Sequence, residues 1–306
     1  MVEDPNTGYM VTGPSISPEN SFLYEGNNLC ASMMPTCDRV LAYEIFNACI
    51  QSSQILGIDQ SFSDSLQQAL KKFPPIRLRA NGGVREWLED YDEASPNHRH
   101  TSHLLALYPY EQISLDKTPE LAVGARKTIE DRLAAEGWED TEWSRANMIC
   151  FYARLKDAKE AYQSILTLES IFTRENLLSI SPAGIAGAPY DIFILDGNAA
   201  GAAGIAEMLV QGHEGYIEFL PCLPEQWNVG NYKGLCVKGG GEVSADWNQS
   251  LINEATLKAI VDNTFTVKVP QGKDYTITLN NKQIDPAINN GLITVSMKAK
   301  DILKFK

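Results

Sequence analysis

Apolar residues recur at helical spacing through the first two thirds of the chain. Between Thr36 and Gly57 they fall every three to four positions, which predicts a helix with one apolar face. That face carries Leu41, Ile45, Ala48/Cys49 and Ile55/Leu56. Further helices are predicted at Asp59–Phe73, from Thr118-Pro119 to Leu133, at Trp143–Leu155, at Asp157–Leu168 and at Asn198–Gln211.

After Gly215 the pattern changes to short strands with polar turns between them. The segments 264–269 and 274–279 alternate with period two, and Asn280-Asn281 is typical of a turn. The predicted strands are Tyr216–Leu220, Gly234–Lys238, Glu242–Trp247, Ala255–Val261, Thr264–Val269, Tyr275–Leu279, Leu292–Ser296 and Asp301–Phe305. The sequence therefore predicts a mainly α fold with a β appendage. A helical domain is expected over residues 1–214 and a small antiparallel β-sandwich over residues 215–306.

The charge balance excludes some classes of partner. The 306 residues contain 26 Lys and Arg against 39 Asp and Glu, a net charge of −13. Phosphate backbones repel an acidic chain, so nucleic acid and anionic membrane are not expected as partners. No apolar run approaches the roughly 18 residues of a membrane span. The six cysteines form no Cys-x-x-Cys pair, which argues against a zinc site or a disulfide framework and favours buried free thiols.

A histidine-rich hexapeptide, HRHTSH at residues 98–103, follows an acidic and aromatic stretch at residues 86–93. Zinc binding is disfavoured because Arg99 would repel a cation and no thiol lies nearby in the sequence. A second interpretation is a helix that starts at Thr101 and whose histidines pair with carboxylates. In a third, Arg and His donate hydrogen bonds to hydroxyls beside an aromatic ring face, the combination that a carbohydrate requires.

Two isolated carboxylates lie in irregular segments rich in Gly and Pro. Glu19 falls within residues 13–21, and Asp196 falls within residues 195–201. A turn position explains Glu19 equally well, and a helix cap explains Asp196 taken alone. As a pair they suit glycoside hydrolysis, which needs one protonated carboxyl group as acid and one ionised group as base or nucleophile.

Further blocks keep a fixed order along the chain. They are EDPNTGYMVT at residues 3–12, PSISPENS at 14–21, EWLED at 86–90, PNHRHTSHL at 96–104, WSRA at 143–146, DGN at 196–198, GIAEML at 204–209 and QGHEGYIEFLP at 211–221. Together these blocks cover nearly the whole chain and resemble glycoside hydrolase family 95. The family comprises α-L-fucosidases and some α-L-galactosidases, which hydrolyse terminal α-linked L-sugars with inversion and need no metal.

The resemblance implies that the helical part is the second half of an (α/α)6 catalytic barrel, followed by the family's C-terminal β domain. It implies Glu19 as the general acid and Asp196 as the general base, with the two carboxyl groups roughly 6.5–9.5 Å apart as inversion requires. The expected substrate-binding residues are Arg99, His100 and Asn198, extended by Trp87 and Trp143 as ring-face contacts. Neither a metal nor a cofactor is expected.

The sequence also departs from the family pattern. Many members carry a Pro-Pro-Phe-Gln segment before the base, whereas residues 183–195 differ here and place Asp191 nearby as a rival carboxylate. The histidine that contacts sugar in some members has Tyr190 as its nearest counterpart. The resemblance implies fucose as the sugar, and because these departures fall near the base, an α-L-galactoside is the alternative substrate.

Family proteins carry an N-terminal β domain, the first half of the barrel and two water-positioning asparagines before the segment that residues 3–9 resemble. We therefore expect this chain to be the C-terminal part of a glycosidase that acts on an oligosaccharide or glycan. An exposed helix face would then be covered by the missing N-terminal half or by self-association. The alternative is a catalytically inactive truncated or divergent paralogue with a structural or carbohydrate-binding role. Family members are typically exported, so a periplasmic or extracellular location is expected for the whole protein.

Overall fold

Two units, Met1–Asp140 and Thr141–Lys306, make up the chain. The computed structural model describes the backbone of residues 1–306 and every side chain except that of Ala186. The helices of the first unit are α1 (Thr36–Leu56), α2 (Gln60–Leu70) and α3 (Pro119–Ala134), with a 3-10 helix at Ser102–Ala106. Its strands are β1 (Val2–Glu3), β2 (Met10–Val11), β3 (Ser15–Ile16), β4 (Phe22–Tyr24), β5 (Asn27–Leu29), β6 (Ala31–Ser32) and β7 (Asp92–Glu93). They pair antiparallel as β1-β2, β3-β6 and β5-β4-β7, so Glu19 lies on the connection between two small sheets.

Local chemistry sets the helix ends of the first unit. α1 ends at Gly57, whose φ of 68° is left-handed and whose N–H donates to the Ser53 carbonyl. α3 begins with Pro119 at its first position, as predicted. α2 follows Asp59, but within the described residues the Asp59 side chain makes no capping hydrogen bond. The boundaries of α1 and α3 are thus confirmed to within one residue, whereas α2 ends at Leu70, three residues before the predicted end, and the predicted cap at Asp59 is wrong.

The apolar face of α1 does not pack inside the first unit, although an amphipathic pattern usually indicates a buried face. Ile45 is 58% and Ile55 is 83% exposed. The buried residues of the helix are Thr36, Cys37, Val40, Ile50 and Ser53. Thr36 donates its N–H to the Glu86 carbonyl and its hydroxyl to the Arg85 carbonyl. These tertiary hydrogen bonds tie the first residue of α1 to the segment that contains Arg85 and Glu86.

Three packed helices begin the second unit. They are α4 (Glu142–Arg154), α5 (Ala158–Ile171) and α6 (Leu195–Leu209). Thr141 caps α4 in a reciprocal capping box with Ser144. Asp157 caps α5 by accepting the Glu160 N–H, as its position before the predicted helix indicates.

Glycines along one side of α6 allow that helix to approach α4 and α5 closely. A Cβ atom at Gly204 would lie 2.5 Å from Cγ2 of Ile149, and one at Gly201 would lie 2.8 Å from Cδ2 of Leu168. At Gly204 a side chain does not fit, because packed carbon atoms lie about 3.5–4.0 Å apart and Cβ of Ile149 would also lie 2.8 Å away. At Gly201 only the end of the Leu168 side chain would have to move, so Gly204 is the closer approach between α6 and α4.

The remainder of the second unit is antiparallel sheet. The short strands are β8 (Ile180–Ser181), β9 (Ile192–Phe193), β10 (Val210–Gln211) and β11 (Glu218–Phe219), with 3-10 helices at Ile185–Gly187 and Glu225–Trp227. The others are β12 (Val229–Val237), β13 (Gly241–Asn248), β14 (Leu251–Ala259), β15 (Asn263–Lys268), β16 (Ile277–Leu279), β17 (Lys282–Gln283), β18 (Leu292–Met297) and β19 (Ile302–Phe305). A six-stranded sheet, β12-β13-β14-β19-β16-β17, and a two-stranded sheet, β15-β18, share one apolar core. Helices followed by a β appendage, the coarse fold expected from the sequence, are thus confirmed.

Turn residues join these strands as the sequence indicates. Asn280 and Asn281, at φ of 52° and 65°, connect β16 to β17, while Gly239 and Gly240 take positive φ between β12 and β13. Within the described part of the chain, no helix combines the length and hydropathy needed to cross a bilayer.

Candidate active site

Glu19 lies at the centre of a tight turn. The Asn20 N–H donates to the Ser17 carbonyl at 2.8 Å, which closes the turn around Pro18 and Glu19. The Pro18 carbonyl accepts hydrogen bonds from the Ser102 hydroxyl and from the His100 ring. The Glu19 side chain is 60% exposed, so the turn presents its carboxyl group to solvent.

Arg99 bridges two carboxylates. Its Nη2 atom donates to Oε2 of Glu19 at 2.6 Å, and its Nη1 atom donates to Oε2 of Glu139 at 3.1 Å. Nε2 of His100 lies 4.0 Å from Oε2 of Glu19, and Nδ1 of His98 lies 3.3 Å from Oε2 of Glu139. We call these five residues the Arg99 cluster. It brings together three residues that the sequence singled out, Glu19, Arg99 and His100.

The Arg99 cluster holds neutral imidazoles beside charged groups. Burial, and then the charges of His100 and Arg99, lower the pKa of His98 to about 4. Burial also lowers the pKa of His100. Burial alone would raise the pKa of Glu139, but its hydrogen bonds with Arg99 outweigh burial and bring that pKa below its usual value. At neutral pH the cluster therefore offers one guanidinium, ionised Glu139 and imidazoles that can each donate and accept, which suits a ligand rich in hydroxyl groups.

Trp87 lies in the apolar interior of the first unit. It is 2% exposed, and its ring meets Phe22 edge-on at a centroid distance of 5.2 Å. The predicted ring-face contact with a sugar needs an open face, and protein atoms cover this ring. Trp87 thus packs against Phe22 in the interior of the first unit, in contrast to the ring-face contact expected from the sequence.

Asp196 lies in the first turn of α6 and is exposed. The helix begins at Leu195, three residues before the predicted start, and Ile194 occupies the capping position. The interpretation of Asp196 as a helix cap is therefore wrong. Its carboxylate instead lies at the positive end of the helix macrodipole, which favours a negative charge there.

A buried carboxyl group, that of Glu142, packs against the residue after Asp196. A Cβ atom at Gly197 would lie 2.8 Å from Cβ of Glu142, so only glycine fits between them. Glu142 is 2% exposed. Burial raises the pKa of Glu142, hydrogen bonds such as that with Ser181 oppose this shift, and the charge of Asp196 adds to it.

Asn198 is bonded to the neighbouring backbone. Its Oδ1 atom accepts from the N–H and the hydroxyl of Ser179, each at 2.9 Å, and its Nδ2 atom donates to the Leu177 carbonyl at 2.7 Å. These bonds tie the 177–179 segment to the start of α6. Trp143, the other predicted binding residue of this unit, is half-buried in the first turn of α4.

Asp191, the rival carboxylate, is engaged in the second unit. It forms an ion pair with Arg174 and accepts the Ala183 N–H at 3.0 Å. Among the residues that the structure describes, no group of three or more His, Cys, Asp or Glu side chains is arranged to hold a metal ion.

Sequence reasoning missed two residues of the first unit, Glu139 and Glu86. Glu139 stands in an acidic patch whose partners, His98 and Arg99, lie about 40 positions earlier. Glu86 belongs to the acidic stretch before the histidines, but its partners lie on both sides of Glu19. We expected the histidines to pair with carboxylates. The structure shows that His98 lies beside Glu139 and His103 lies beside Glu86.

Two family models match the chain. The glycosyl hydrolase family 95 catalytic domain matches residues 1–209, and the glycoside hydrolase family 95 C-terminal domain matches residues 211–303. Alpha-L-fucosidase 2 of Arabidopsis thaliana is 32% identical over 252 residues, which cover 81% of this chain and 29% of that protein. A probable alpha-fucosidase A of Aspergillus niger is 28% identical over 267 residues, which cover 79% of this chain and 31% of that protein. The chain thus spans about a third of the length of these curated relatives. A solved β-arabinofuranosidase of family GH127 is 11% identical with a TM-score of 0.27, covering 89% of this chain and 43% of that structure.

Proposed function

We propose that this chain, which belongs to glycoside hydrolase family 95, supplies the acid and the base of an inverting exo-acting α-L-fucosidase. Glu19 in the first unit is the proposed general acid, and Asp196 in the second unit is the proposed general base. Arg99 and His100 are the proposed sugar-binding residues. The helical part is proposed as a portion of an (α/α)6 catalytic barrel.

The proposed reaction breaks one bond and forms one. Protonated Glu19 gives its proton to the glycosidic oxygen as the bond from that oxygen to the anomeric carbon breaks. Ionised Asp196 takes a proton from a water molecule whose oxygen bonds to the anomeric carbon from the opposite face. The products are L-fucose of inverted configuration and the free leaving alcohol. Each carboxyl group regains its starting state by proton exchange with solvent.

The arrangement of Glu19 is the observation that supports this proposal best. Its carboxyl group is 60% exposed, lies 2.6 Å from the Arg99 guanidinium and lies 4.0 Å from the His100 ring. An acid must reach the glycosidic oxygen, and donors beside it must hold the sugar hydroxyls. Because the Arg99 guanidinium favours an ionised Glu19, the proposal requires that a sugar hydroxyl replaces Glu19 on Arg99, which leaves the Glu19 carboxyl free to carry the proton.

The exposed stripe of α1 supports a protein partner for this chain. Leu41, Ile45, Ile55 and Leu56 are 45%, 58%, 83% and 65% exposed. Because the chain spans about a third of its relatives' length, we propose that a helical segment from the rest of a family protein covers this stripe. Self-association is the alternative when the chain is alone.

Product stereochemistry tests the proposed function. The chain, alone and mixed with the portion of a family relative that it does not span, is given an aryl α-L-fucoside and the matching α-L-galactoside. Proton NMR within the first minutes should show β-L-fucose from the fucoside. Release of α-L-fucose first would contradict inversion, and a faster galactoside would reassign the sugar. A folded chain without turnover in either form would favour an inactive paralogue.

A further inference from the structure

The buried side chains of Ser17 and Asn20, which flank Pro18 and Glu19, both donate hydrogen bonds to the Glu86 carboxylate. The Ser17 hydroxyl donates to Oε1 of Glu86 at 2.7 Å, and Nδ2 of Asn20 donates to Oε2 of Glu86 at 3.1 Å. Ser17, Asn20 and Glu86 are 0%, 2% and 3% exposed. The residues on both sides of Pro18-Glu19 are therefore hydrogen-bonded to Glu86, which lies 66 to 69 positions away in the chain.

Glu86 is itself held firmly. Its backbone carbonyl accepts the Thr36 N–H at 2.9 Å, which ties it to the start of α1. Its Oε2 atom lies 3.6 Å from Nδ1 of His103 and 3.9 Å from Nη2 of Arg132. Glu93 also faces this group, because it accepts from Asn20 at 3.0 Å and pairs with Arg132 at 2.7 Å. We call Ser17, Asn20, Glu86, Glu93, His103 and Arg132 the Glu86 network.

We propose that Glu86 is a positioning residue for Glu19, holding the Ser17–Asn20 turn so that the Glu19 carboxyl stays beside Arg99. This inference rests on the proposed role of Glu19 as the acid. Glu86 cannot touch a substrate, because its side chain is only 2% exposed. It acts through the turn at residues 17–20. Glu19 carries the only carboxyl group among these four residues, and its side chain is 60% exposed.

A carboxyl group at this position is costly, which supports a specific task. Burial, and then the charge of Glu93, raise the pKa of Glu86 to about 7, against the opposing effects of Arg132, Ser17 and Asn20. A neutral side chain would avoid that desolvation. A carboxylate, however, offers acceptors on two oxygens, and the two donors Ser17 and Asn20 approach one oxygen each.

Amide hydrogen exchange tests the positioning role independently of activity. In the full chain, Glu86→Gln and Ser17→Ala should each speed exchange of the Asn20 N–H about tenfold or more, since that N–H closes the turn. Ser63→Ala is the matched control, because Ser63 is also 0% exposed and lies on α2 of the same unit. Unchanged protection of Asn20 in both variants, with thermal unfolding near that of the wild type, would overturn the proposal.

Leaving-group dependence tests the link to catalysis. Fluoride departs without protonation, whereas a sugar alcohol needs the acid. Glu86→Gln should therefore lower kcat for a disaccharide α-L-fucoside by about tenfold or more, because a displaced acid transfers its proton poorly. Hydrolysis of α-L-fucosyl fluoride should fall less than about threefold. An equal fall for both substrates would indicate general damage and overturn the proposal.

Two further variants separate failure of this inference from failure of the proposed function. If Glu86 acts through Ser17, the double variant Ser17→Ala/Glu86→Gln should lose little more than either single variant. Additive losses would overturn the positioning role while the acid role of Glu19 stands. If Glu19→Gln leaves disaccharide hydrolysis unchanged, the proposed acid is wrong, and the exchange result then decides only whether Glu86 orders the turn.

Discussion

Arg99 and Glu19 lie 80 positions apart in the chain, and their side chains meet with Nη2 2.6 Å from Oε2. The contact joins the histidine-rich segment to the turn that carries the proposed acid. Glu139 holds the other arm of the guanidinium at 3.1 Å. The Arg99 guanidinium thus holds the exposed carboxyl group of Glu19 beside the His100 ring.

Loss of Arg99 should weaken sugar binding far more than folding. Arg99→Ala should raise KM for an aryl α-L-fucoside by about 10- to 100-fold, because a hydrogen bond to a charged group contributes about 1.5–3 kcal/mol. The melting temperature should fall by only about 2–6 °C, because Arg99 is 17% exposed but its partners Glu19 and Glu139 stay open to solvent. Kinetics and thermal unfolding check both values.

Lys298→Ala is the control for Arg99, because it removes an exposed ion pair with Asp262 in the second unit. Its KM should match that of the wild type. An Arg99→Ala chain with unchanged KM would remove Arg99 from the binding site.

The stability of the chain should depend on pH through Glu86. Its folded-state pKa of about 7 lies above the ordinary value of 4.5, so its contribution is fully present below about pH 4.5 and is lost as pH rises through 7. The free energy of unfolding of the wild type, relative to Glu86→Gln, should thus fall by on the order of 3 kcal/mol between pH 4.5 and pH 8. Urea unfolding at a series of pH values measures this difference.

His103 acts in the opposite direction. Burial, and then the charge of Arg132, lower its pKa to about 3, so its stabilising contribution is lost as pH falls from about 6.5 towards 3. His103, Glu93, Arg132 and Arg79 remain in both proteins, so their effects largely cancel in the comparison with Glu86→Gln. A difference between the two proteins that stays constant with pH would show that Glu86 does not titrate in this range.

Asn198 should matter for folding as well as for binding. Asn198→Ala leaves the Ser179 N–H without its acceptor, which costs about 1–3 kcal/mol. The melting temperature should fall by roughly 2–9 °C, and the Ser179 amide should exchange faster. An unchanged melting temperature with a raised KM would instead support direct contact between Asn198 and the sugar.

The exposed stripe of α1 should drive association of the isolated chain. Replacing both Ile45 and Ile55 with Lys should shift the chain towards monomer in light scattering and lower its binding of an apolar dye. Val123→Lys is the matched control, because Val123 is 71% exposed on α3 and lies outside the stripe. A wild-type chain that stays monomeric at high micromolar concentration would contradict self-association through the stripe.

Helix boundaries could be predicted from the sequence because local chemistry sets them. Pro119 starts α3 and Gly57 ends α1, and both act within one turn of helix. The face that α1 buries could not be predicted from spacing alone, because its contacts are tertiary, such as those of Thr36 with residues about 50 positions away. The apolar stripe of α1 indicates a contact surface, but the sequence does not identify the partner that covers it.

The roles of individual site residues were predicted only through the sequence blocks that contain them. Asp196 was expected as a general base, with a helix cap as the alternative; α6 begins at Leu195, so the cap is wrong and the role as base stays a prediction. Trp87 was expected at a sugar face because ring chemistry alone does not reveal that Phe22 covers it. Glu86 stands in the EWLED block, but the sequence could not assign it a role, because its two hydrogen bonds to the turn span 66 to 69 positions.

The roles of Glu19 and Asp196 are tested most directly by comparing two variants on two substrates. Glu19→Gln should lower disaccharide α-L-fucoside hydrolysis by about 100-fold or more while sparing α-L-fucosyl fluoride, since fluoride needs no acid. Asp196→Asn should lower hydrolysis of both substrates by similar factors, because the base activates water in each case. Near wild-type rates in either variant on the disaccharide, or loss of fluoride hydrolysis in Glu19→Gln with the fold intact, would contradict this account.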